Sequence, residues 1–139
     1  LTTQSEKLQY ALDVWKAADV PELAKAEREV WISELANLGF SSYQTAKIVR
    51  LGWDTVARKP YRWESKSTTK FNPKHLDALY FMAHNYESAQ MFGDTYVFPV
   101  EPLMLMAVEG SYNERTDVRT IIELTGIPRD AILGAIKGG

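Results

Sequence analysis

SSYQTAKIVRLGWDTVARKPYRW, residues 41–63, holds the densest run of folding signals in the chain. Ser41 and Gln44 have the spacing at which a hydroxyl and an amide each satisfy the other's free backbone N–H at a helix start. Ala46, Ile48 and Val49 lie inside the helix so opened, which reaches Leu51 and stops at Gly52. Asp54 is placed to cap a short helix over 55–59. Pro60 limits it, because proline lacks the N–H and clashes with the preceding turn. Trp53, in the turn between the two helices, is expected in the core.

Working outward toward the start, Leu8, Leu12 and Trp15 share one helical face, which gives a helix over about 3–18 ending before Val20 and Pro21. Pro21 suits the first turn of a second helix, where its missing N–H costs nothing. Trp31, Leu35 and Leu38 form its buried stripe, and Gly39 ends it with a left-handed residue. Toward the other end, residues 61–72 mix aromatics, bases and small polar residues without a clear period and read as an arm or loop. Asn72 and Pro73 then open a helix to about residue 90, through Leu76, Leu79, Tyr80 and Ala83. Prolines and turn residues make 92–102 a connector, with a short extended piece at 95–98. Three more helices fit 102–109, 117–125 and 128–137. The expected class is all-α, with segments at 1–20, 21–72, 73–100 and 101–139. Two three-helix units, at about 21–63 and 101–138, are joined by a basic arm and a connecting helix.

The chain of 139 residues carries a net charge of −2, but the charge is unevenly spread. Residues 41–75 hold eight bases against two acids, a net of +6, whereas 1–40 come to −3 and 76–139 to −5. Half of all lysines and arginines therefore sit in a quarter of the chain, which is the electrostatic footprint of a polyanion partner. The absence of cysteine rules out disulfides and thiolate metal sites. His75 and His84, the only histidines, have no metal-ligand spacing with acids, so neither a metal nor any other cofactor is expected. No glycine-rich phosphate loop or nucleophile elbow is present, and an enzyme is not expected. No apolar run approaches the ~20 residues that cross a bilayer, and the first ten residues lack the basic-then-apolar pattern of an export signal.

Residues 118–136, VRTIIELTGIPRDAILGAI, resemble the helix-turn-helix superfamily at Ile122, Gly126, Ile127 and Ile132. These supply the first-helix apolar residue, the turn glycine and the two buried aliphatics of that pattern. The 41–63 segment resembles it more loosely: Ala46 and Val56 stand ten apart, Arg50 occupies the usual glycine position, and the glycine arrives at Gly52. Val49 to Trp53 followed by Thr55 resembles the variant found in small subunits of phage terminases.

The resemblance implies a DNA-binding protein, with a phage or bacterial transcriptional regulator as the leading expectation. Its partner would be double-stranded DNA, in the cytoplasm of a bacterium or phage-infected host. A DNA-recognition subunit of a packaging or recombination complex and a protein-binding adaptor stand as alternatives. Thr55 and Arg58 are the base-reading candidates, since arginine can grip guanine through two hydrogen bonds. Lys47, Arg50, Lys59, Arg62, Lys66, Lys70 and Lys74 would hold phosphates, and His75 beside Lys74 could join them. Tyr61, Trp63 and Phe71 are expected to pack the arm onto its own domain rather than to stack on bases. The acidic surroundings of 101–139 point to oligomerisation or protein docking there, with Leu133 and Ile136 as contact residues. A chain ending near residue 98 would then keep its DNA-binding segment.

Overall fold

Thr3 starts the first helix: its hydroxyl accepts the Glu6 N–H at 3.2 Å, and α1 runs Gln4–Ala17. The computed structural model describes residues 2–67, 71–93 and 114–138, with the side chains of 118–134 in the last stretch. α2 spans Pro21–Asn37, with the proline in its first turn, and Gly39 turns the chain at φ +94°. The Phe40 N–H then reaches back to the Leu35 carbonyl at 3.1 Å.

α3, Ser42–Val49, has both arms of the capping box. The Ser41 hydroxyl accepts the Gln44 N–H at 3.0 Å, and the Gln44 amide oxygen accepts the Ser41 N–H at 2.9 Å. Both side chains are buried, so water cannot replace either bond. Ser41→Ala should therefore cost about 1–2 kcal/mol, read as a lower urea midpoint at unchanged m-value.

The turn after α3 departs from the expected one. Arg50, not Gly52, takes the left-handed conformation, at φ +61°, and the Leu51 N–H bonds the Ala46 carbonyl at 3.0 Å. Gly52, at φ −68°, becomes the N-cap of α4, Trp53–Ala57, without a side-chain bond. α4 begins one residue ahead of Asp54, which therefore sits in the first turn rather than at the cap. There its charge complements the positive helix end. Arg58 is the C-cap.

Residues 61–67 are non-helical. The Asn72 side chain accepts the Lys74 N–H at 3.1 Å and opens a 3-10 turn, Pro73–His75, that leads into α5, Leu76–Phe92. α6, Glu114–Thr125, and α7, Arg129–Gly138, follow. Between them Gly126 turns at φ +72°, a conformation that L side chains rarely adopt. Ile127 and Ile132 beyond it are fully buried. The connector, the extended piece at 95–98 and the helix expected at 102–109 lie outside the described residues.

α1 is the hub. It packs most extensively on α5 and also meets α2, α3 and α6. Glu87 of α5 accepts the Ser5 N–H at 3.0 Å and its hydroxyl at 2.5 Å, placing a carboxylate on the positive start of α1. Val118, Ile121, Leu124, Ile127 and Ile132 belong to the same apolar cluster as Leu8, Ile32, Ile48 and Leu79. The described residues are thus all-α around one continuous core. No described helix is long and apolar enough to cross a membrane.

Candidate nucleic-acid interface

α4 buries one side chain, Val56, and leaves Asp54 and Thr55 exposed. Trp53 is exposed as well, at 52%, which corrects its expected place in the core. A five-residue helix has room for one inward position, and Val56 takes it. The Trp53 indole N–H instead donates to the Ser42 hydroxyl at 3.1 Å, tying the start of α4 to the start of α3.

The expected phosphate-binding cations divide by what they already hold. Arg50 is spent inside the fold. Its guanidinium lies 3.5 Å from the Trp15 ring centroid, and its Nη2 and Nε donate to the Trp15 carbonyl at 2.8 and 3.3 Å. Nη1 is 3.5 Å from Asp19. This cation meets an unpaired carbonyl and the negative end of α1 at once while staying exposed, so a phosphate there would compete with contacts the fold already makes. Lys59 pairs with Glu29 and is half-buried; a phosphate would have to displace that carboxylate. Lys47 is exposed, 5.6 Å from the Tyr43 ring. Arg58, Arg62, Lys66 and Lys74 are exposed and make no ion pair with a described residue. Lys70 lies outside the described residues.

The segment after α4 has an order that its sequence conceals. Burial alternates from Tyr61 to Ser67, with Tyr61, Trp63, Ser65 and Ser67 turned partly inward and Arg62, Glu64 and Lys66 exposed. Tyr61 and Trp63 pack edge to face at 6.2 Å and lie against the core, and Phe71 is buried in it. The Ser67 hydroxyl donates to Glu123 of α6 at 2.8 Å. Over 61–67 the arm is therefore a strap that turns Arg62 and Lys66 outward. The signal was a period of two, but Ser65 and Ser67 continue the inward row with small polar residues, so hydrophobicity alone does not reveal it.

His75 is buried beneath the start of α5, not at the surface where a phosphate could reach it. His84 is exposed and stacks on Tyr80 with 5.7 Å between centroids. Among the described residues no three His, Asp or Glu side chains gather as a metal ion would require. Leu133 is half-buried against the core, so much of its expected contact surface is already used. The side chain of Ile136 lies outside the described ones.

Two other regions are poorer candidates. A groove of about 460 Å³ runs between the start of α1 and α5, past Glu6, Tyr80, His84 and Glu87. Its main acid, Glu87, is occupied in capping α1. On the α2 side, Tyr10 has its phenol pKa raised by burial first and then by Glu34 and Glu27. That acidic neighbourhood would repel a polyanion, whereas the end of α4 and the strap would attract one. No family model, curated protein or solved structure matches the chain.

Proposed function

We propose that this protein binds double-stranded DNA through the end of α4 and the strap after it, as a regulator of phage or bacterial type. The observation that carries the proposal is the state of the cations. A chain with net charge −2 concentrates +6 in residues 41–75. Arg58, Arg62, Lys66 and Lys74 in that segment are exposed and free of ion pairs with described residues. Unneutralised cations crowded together raise the local potential and gain most from a dense polyanion.

α3 and α4 act in this proposal as a helix-turn-helix pair. Ala46 and Val56, ten apart, are both buried, and Arg50 adopts the left-handed conformation at the position where that pattern has glycine. Thr55 on α4 and Arg58 at its end are the base-edge candidates, while Lys47, Arg62, Lys66 and Lys74 hold phosphates. α4 is one short turn and reaches little of a groove alone, so the strap supplies the rest of the grip.

The test is a triple variant, Arg58→Ala with Arg62→Ala and Lys66→Ala, compared with the parent on duplex DNA across a salt series. Each lost phosphate contact should reduce the log–log salt slope by roughly 0.9, so the loss of Arg62 and Lys66 should lower it by about 1.8, and the loss of Arg58 should weaken binding further. Lys59→Ala, which removes a cation already paired with Glu29, should change it less. An unchanged slope in a folded triple variant contradicts the assignment.

A further inference from the structure

Among the described residues of the basic segment, Trp53 is the one large apolar side chain left exposed. Its indole N–H is already given to Ser42 at 3.1 Å. What it offers a partner is therefore carbon surface in a fixed orientation, not a hydrogen bond. It opens α4, two residues before Thr55 and five before Arg58. In a duplex the base faces are closed by stacking, and the apolar group that the major groove presents is the C5-methyl of thymine.

On the premise that α4 enters the major groove, we propose that Trp53 is a specificity-determining residue that packs on a thymine C5-methyl, with Ser42 holding the ring in place. The contact gives a use to a tryptophan that the short α4 leaves half exposed beside cations. The ring is a preformed apolar surface whose polar atom has been satisfied from behind, so docking a methyl group desolvates carbon without stranding a donor.

The experiment compares alternating poly(dA-dT) with poly(dA-dU) duplexes of equal length, which differ by that methyl group alone. The parent protein should bind the thymine duplex about fourfold more tightly, the value of one buried methyl-sized group. Trp53→Ala should bind both duplexes equally, at about the parent's affinity for the uracil duplex. Trp53→Gln, which keeps a donor for Ser42 but no ring, should behave as the alanine variant does and covers any loss of folding in the latter. Equal binding of both duplexes by the parent overturns the methyl contact and leaves DNA binding standing. A thymine preference that persists in a folded Trp53→Gln protein does the same. Failure of the parent to bind either duplex overturns both.

Discussion

Ile132→Ala is expected to destabilise the whole described helical body by about 2–5 kcal/mol, in a single unfolding transition. Ile132 is fully buried, and it belongs to one apolar cluster with Leu8 of the first helix and Ile121 and Ile127 nearer to it in the chain. Removing three carbons leaves a cavity that α7 cannot close alone, because Ile121 and Ile127 are packed around the same core. Denaturant unfolding followed by far-ultraviolet circular dichroism and by tryptophan fluorescence should give coincident curves, both shifted by the mutation. If fluorescence from Trp15, Trp31, Trp53 and Trp63 stayed at its parental midpoint while helicity fell first, α6 and α7 would be a separable unit. The same argument revises the expectation for a chain cut near residue 98. Such a fragment loses α6, which packs on α1 and α5, and with it the buried Val118, Ile121 and Leu124, so it should be much less stable than the full chain, not an intact binding half.

Arg50 carries the second large effect. Arg50→Ala should cost about 2–4 kcal/mol, and Arg50→Gly roughly 1 kcal/mol less than that. Both variants lose the stacking on Trp15 and the two hydrogen bonds to its carbonyl. The Asp19 pair adds little, since that carboxylate is 76% exposed. The difference between the variants is backbone strain. At φ +61° an alanine pays the same left-handed penalty as arginine with nothing in return, whereas glycine is at ease there. The predicted order of urea midpoints is parent, then Gly, then Ala. Equal midpoints for Gly and Ala would show that the left-handed turn is not retained once the guanidinium is gone.

The local signals in the sequence were sufficient where each helix end satisfies itself. Pro21, Gly39, the Ser41–Gln44 pair and Asn72 all act within four residues of their own position, and each stands where its chemistry places it. Most of what escaped was decided from a distance. Arg50 adopts a glycine-like conformation because Trp15, thirty-five residues away, gives its guanidinium a ring and a carbonyl. Trp53 escaped for a local reason instead: Val56 takes the one buried position of so short a helix. The strap is ordered because Tyr61, Trp63 and Phe71 find a core already built by α1, α3 and α5, although nothing in their own spacing marks a helix. The candidate site was legible as charge and no further. Composition located the eight cations, but only the fold separates Arg50 and Lys59, which it uses, from Arg58, Arg62, Lys66 and Lys74, which it leaves open.

Binding of the unmodified chain to a mixed-sequence duplex, measured from about 50 to 200 mM salt, tests that separation most directly. If Lys47, Arg62, Lys66 and Lys74 each reach a phosphate, log K should fall against log salt with a slope of about −3.6, at roughly 0.9 per contact. No detectable duplex binding at the lowest salt, or a slope near zero, would contradict the assignment of these residues to DNA.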